Sequence, residues 1–195
     1  MATKELKNIF LSASIPLSYR DERYYETADV IAIRDAVIAL ATCVIPKHRL
    51  IWGGHPSITP LIYYVMQKLN INVQEHLTLY QSLFFQKYFP EDNNKFENVI
   101  QTPIHDNRDS SLRLMREMML GTKEYVAGIF IGGMEGVEEE YKMFKEFQPD
   151  AFIIPLASTG AAAKILYDNH HYDNKRFVDD YAFSSIFQEC LIDKI

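Results

Sequence analysis

Tyr125-Val126-Ala127-Gly128-Ile129-Phe130-Ile131-Gly132-Gly133-Met134-Glu135-Gly136-Val137-Glu138-Glu139-Glu140 is the stretch that decides the fold. An apolar run of strand length empties into two glycines. A third glycine, three consecutive glutamates and a helical pattern follow. A buried strand that turns directly into a helix offers bare N–H groups and the positive end of a helix dipole to an anion, most often a phosphate. Glycine-rich strand-to-helix turns are also ordinary connections in α/β proteins. By itself the stretch leaves an anion site and a plain turn equally open.

The pattern repeats outward from it. Asn8-Ile9-Phe10-Leu11 reads as a first strand ending in Ser12-Ala13-Ser14, and Arg49-Leu50-Ile51-Trp52 as a second ending in Gly53-Gly54-His55. His76 to Tyr80 and Asn98 to Gln101 read as a third and a weak fourth strand. Ala151-Phe152-Ile153-Ile154-Pro155 is the last, running into Leu156-Ala157-Ser158-Thr159-Gly160. Between them, apolar residues at helical intervals predict helices over about 25–43, 60–69, 111–120, 138–147, 161–167 and 177–191. Asn70-Ile71-Asn72 is expected to break the second of these. Phe84, Phe85, Tyr88 and Phe89 read as a short helix or aromatic loop, which could stack on a base, form a dimer contact or pack into the core.

Strands without polar alternation, separated by helices, predict a mostly parallel sheet covered on both faces. The expected fold is a single Rossmann-like α/β domain over residues 1–195. In such a sheet the strand ends at Ser12, Gly53, Gly132 and Ser158 lie along one edge, where ligands bind at a switch point.

Composition narrows the function. The 195 residues carry a net charge of −6 and no cluster of Lys and Arg, which disfavours nucleic acid as a partner. The two cysteines fit buried free thiols in a reducing compartment. The N-terminus lacks an apolar signal region and no run is long enough to span a membrane, so a cytoplasmic location is expected. There is no Gly-x-x-x-x-Gly-Lys-Ser/Thr loop and no Gly-x-Gly-x-x-Gly, which disfavours a P-loop ATPase and ordinary NAD-dependent hydride transfer. Asp168, His170, His171 and Asp173 form a polar loop for which solvation, not metal, is expected.

These turns resemble those of the SLOG superfamily, which joins lonely-guy enzymes to DNA-processing protein A. Lonely-guy enzymes carry an Arg and, sixteen residues on, a strand ending in Pro-Gly-Gly-x-Gly-Thr-x-x-Glu. Here Arg116 lies sixteen residues before Gly132. With one inserted residue, Gly136 takes the third glycine and Glu140 the motif glutamate; without it, Glu139 does. Ile131 replaces the motif proline, and Val137 stands where a Thr would offer its hydroxyl to phosphate. The turns at Ser12 and Gly53 also look like those of SLOG modules found beside TIR-type domains in bacterial defence systems.

The resemblance implies binding of a nucleotide-derived ligand, ADP-ribose-like or NAD-derived, as a sensor in defence or signalling. Its alternative is a phosphoribohydrolase or related N-glycosidase using Glu140 or Glu139 with Arg116. The implied contacts are Ser12, Ala13, Ser14, Gly53, Gly54, His55, Arg116, Gly132, Gly133, Met134, Glu135, Gly136, Ser158, Thr159 and Gly160. No cofactor or metal is implied. A homodimer through the helix of Met115, Met118 and Met119 is expected, with a TIR-type or effector protein as partner. Read without the resemblance, Arg116 can equally be a surface cation paired with Glu117 or Asp109. The glutamates can equally serve the helix dipole, and His55 a loop role.

Overall fold

A computed structural model describes residues 6–69 and 72–195. Its framework is six strands: β1 (Asn8–Ser14), β2 (Arg49–Gly53), β3 (Leu77–Ser82), β4 (Val99–Thr102), β5 (Ala127–Gly132) and β6 (Phe152–Leu156). They form one sheet in the order β4-β3-β2-β1-β5-β6, and every pairing is parallel. Helices cover both faces, as in other Rossmann-like α/β folds.

Strand composition follows from this double cover. In β1, Ile9 and Leu11 join one apolar cluster and Phe10 the other. Around Ile9, Phe10 and Leu11 neither face meets water, so this part of the strand is apolar on both. The first cluster packs beneath α2 (Val30–Val44), α3 (Thr59–Lys68) and α8 (Phe183–Cys190). The second packs beneath α4 (Arg108–Gly121), α5 (Glu135–Phe147) and α6 (Ala161–Asn169). In the second, the Phe10 and Phe144 rings stack at 5.4 Å and Phe130 meets Tyr141 edge-on at 5.2 Å.

Several boundaries differ from expectation for local polar reasons. The first long helix does not begin near Tyr25. A short helix, α1 (Glu22–Tyr25), stands apart, and Asp29 caps α2 by accepting from the Ala32 N–H at 2.9 Å. α4 begins three residues before Ser111, because Asn107 and Ser110 form a capping box. The aromatic stretch is a 3-10 helix, Leu83–Tyr88. The last expected helix is broken into α7 (Arg176–Asp179) and α8, since Asp180 turns extended and its carboxylate accepts from the Ala182 N–H at 2.8 Å. α3 closes at Lys68, and Asn70 and Ile71 of the expected break lie outside the described residues. Met115 and Met119 are buried in the chain's own core, which removes them as a motive for a dimer contact.

Candidate functional site

The strand order reverses at β1. The chain builds β1 to β4 outward on one side, then returns to place β5 against the other side of β1. At such a switch point the connections from neighbouring strands diverge and open a crevice at the carboxyl edge. Gly132 and Gly133 make the turn there with φ of +55° and +89°, a region that favours glycine. The turn is fastened from both sides. Gly132 N–H donates to Thr159 Oγ1 and Gly133 N–H to the Ser14 carbonyl, both at 2.8 Å.

α5 starts immediately after this turn with no side-chain cap. The amides of Glu135 and Gly136, first in the helix, have no intrahelical acceptor. They belong to a cleft of about 330 Å³. At this end the cleft is walled by Arg20, Arg116, Met134, Glu135, Gly136 and Glu140. Its middle is the edge of the sheet: Ala13, Ser14, Gly53, Gly54, His55 and Pro56. The far end is Gln81, Ser82, Phe85, Tyr88, Phe89 and Pro90, and Arg108, Leu112 and Met115 of α4 complete the wall.

Glu140 holds the charged end together. Ser12 Oγ donates to Glu140 Oε2 at 2.6 Å, and Arg116 Nε donates to Glu140 Oε1 at 3.3 Å. The Arg116 and Glu140 side chains are only 13% and 15% exposed, so water screens this pair weakly. Arg20 pairs with Glu135 at the cleft mouth. Deeper on α5, Tyr24 donates its hydroxyl to Glu138. Burial and that carboxylate push the Tyr24 hydroxyl well above its ordinary pKa.

His55 is a neutral group in this setting. Burial pushes its pKa down from 6.5 to about 4. The Ser57 N–H donates to its Nδ1 at 3.3 Å, which leaves Nε2 to carry the ring proton. His55 therefore brings a hydrogen-bond donor to the cleft without a charge.

The profile of the SLOG cluster3 family matches residues 23–191. The chain belongs to the SLOG cluster3 family. The X-ray structure of TM1055, a Northeast Structural Genomics Consortium target, is similar to it in fold. That likeness covers 97% of this chain and 100% of TM1055, at 15% identity and a TM-score of 0.62. No curated protein matches the chain.

In this SLOG chain the residues singled out by the sequence divide into three groups. Ala13, Ser14, Gly53, Gly54, His55, Arg116, Met134, Glu135, Gly136 and Glu140 line the cleft together. Ser12, Gly132 and Gly133 lie behind that lining: Ser12 acts through Glu140, and the two glycines shape the turn. Ser158, Thr159 and Gly160 do not line the cleft. They follow β6, on the far side of β5 from β1, and Thr159 instead supports Gly132. Glu139 also points elsewhere. It is exposed and lines an adjoining groove with Arg113 and Lys142, because successive helical residues face different directions.

Arg20, Gln81, Ser82, Arg108 and Leu112 were not singled out by the sequence as site residues. Arg20 and Arg108 sit in charged loop stretches that look solvated. Gln81 lies one residue past the expected third strand, His76 to Tyr80, where a polar residue gives no local signal. Among the described residues, no three His, Cys, Asp or Glu are grouped as a metal site would group them, and no helix is long and apolar enough to cross a membrane.

Proposed function

We propose that this SLOG cluster3 protein binds a nucleotide-derived ligand, ADP-ribose-like or NAD-derived, in the carboxyl-edge cleft. The observation that carries the reading is the uncapped start of α5 opening into the same cleft as Arg20 and Arg116. Helix amides and guanidinium groups together suit a phosphate or diphosphate. Arg20 then exchanges Glu135 for the ligand, and His55 donates to a ribose or phosphate oxygen. The resemblance to TIR-associated modules supports a sensor role in bacterial defence or signalling, with a TIR-type or effector partner. It also supports a homodimer, which light scattering of the purified chain tests: a monomer mass at high micromolar concentration removes it.

A second reading, hydrolysis of an N-glycosidic bond, is favoured by Glu140 beside Arg116 in the cleft. A carboxylate there would stabilise the cationic sugar formed as the bond breaks. Both Glu140 oxygens already accept from the protein, and Val137 offers no hydroxyl, so binding remains the first reading. Incubation with adenosine monophosphate, NAD and cyclic ADP-ribose, followed by chromatography, separates the two. Intact, retained ligand supports the sensor; release of free base establishes the enzyme. Mass spectrometry of any co-purifying molecule gives its identity.

A further inference from the structure

Gln81 lies near the carboxyl end of β3 and is 4% exposed, yet its amide Nε2 is buried without a hydrogen-bond partner. Folded proteins rarely bury an amide donor without an acceptor, because the hydration it loses is not replaced. Gln81 nevertheless belongs to the cleft wall. Its amide fills the space that glycine leaves at position 54: a Cβ there would stand 1.8 Å from Nε2 and 2.8 Å from Leu79 Cδ1. The neighbouring cleft wall is aromatic. Phe85 and Phe89 line it, and Tyr88 holds its ring 75% exposed at the rim.

Position in the sheet gives this amide a meaning. β3 is three strands from β5 in the order β3-β2-β1-β5. At about 4.8 Å per strand, the two ends of the cleft are about 14 Å apart. One end is cationic with open helix amides; the other is aromatic with one unsatisfied carboxamide. A phosphate suits the first. A flat heterocycle with a donor and an acceptor side by side on one edge suits the second, since a carboxamide offers the complementary pair.

We propose that Gln81 reads the base of the ligand, its amide hydrogen-bonding the base edge while the Phe85–Tyr88 side of the cleft covers the ring face. The proposal rests on the nucleotide reading and deepens it. It makes Gln81 a specificity-determining residue and Gly54 the position that lets it sit there.

The test is titration of wild type, Gln81→Leu and Gly54→Ala with ADP-ribose, and with ribose 5-phosphate by competition, beside melting curves. Gln81→Leu removes the amide while keeping most of the volume. Gly54→Ala keeps the amide but drives it from its place. Both should weaken ADP-ribose binding tenfold or more, and Gln81→Leu, at the aromatic end, should leave ribose 5-phosphate unchanged while melting no lower than wild type. Wild-type affinity for ADP-ribose in folded Gln81→Leu overturns the proposal and leaves the nucleotide reading standing. An equal loss for ribose 5-phosphate also overturns it, because Gln81 then acts on the whole cleft rather than on the base. Failure of wild type to bind either molecule removes the nucleotide reading and this one with it.

Discussion

Arg116 Nε stands 3.3 Å from Glu140 Oε1, joining α4 to α5 directly above the end of β1, where Ser12 Oγ donates to the second carboxylate oxygen at 2.6 Å. The pair ties the two helices that wall the charged end of the cleft. It also sets the orientation of Arg116, which with Arg20 is what a bound anion would meet beside the α5 N-terminus.

Breaking one side of this pair should cost more than removing both. Arg116→Met leaves a largely buried carboxylate with only a serine hydroxyl, a loss of about 2 kcal/mol. Arg116→Met combined with Glu140→Gln should recover at least half of that. Urea unfolding of the two single variants and the double variant measures it. Strictly additive losses would mean that the two side chains do not support each other.

The two halves of the glycine turn should behave differently. Gly133 has φ +89°, and a Cβ there would lie 2.2 Å from Val137 Cγ2. Gly133→Ala should therefore destabilise the fold by about 2 kcal/mol or more, and lost binding in that variant would reflect a disturbed α5 rather than a blocked phosphate site. At Gly136 a Cβ would meet Arg116 Nη2 at 3.1 Å. Gly136→Ala should keep stability, as alanine favours the helix by about 1 kcal/mol, and should weaken ligand binding by displacing Arg116. Equal melting temperatures for Gly133→Ala and wild type would contradict the strained turn.

His55 makes stability depend on pH. Its folded-state pKa is about 4 against an ordinary 6.5. Between these values the unfolded chain takes up a proton that the folded chain refuses, so stability falls as pH drops from 6.5 to 4 and is fully present above 7. Allowing for screening by the open cleft, the loss between pH 7 and 4.5 is about 2 kcal/mol. The same drop measured in wild type and His55→Gln would contradict it; a shallower drop in His55→Gln is expected.

The sheet was legible because four of its strands are apolar runs that stop at small residues, as in Ile129-Phe130-Ile131-Gly132. The charged end of the cleft was legible for the same reason: glycines and a helix start advertise themselves locally. Strand order does not. That Ser158, Thr159 and Gly160 fall outside the cleft follows from β6 lying beyond β5, while the cleft runs the other way toward β3. Spacing along the chain carries no such direction. Gln81 was hidden because a polar residue at the end of a strand has no meaning until its neighbours across the sheet are known. Asp180 was missed as a helix breaker because its effect depends on a side-chain bond to Ala182, not on backbone preference.

The most direct measurement is isothermal titration calorimetry of ADP-ribose into the purified chain, with Arg116→Ala in parallel and its folding checked by circular dichroism. Saturable binding at one site per chain is predicted for wild type, at least tenfold weaker in folded Arg116→Ala, since a charge-assisted contact to phosphate is lost. The contrary result is no binding heat with ADP-ribose, NAD or adenosine monophosphate up to millimolar concentration, or the same affinity with and without the Arg116 guanidinium.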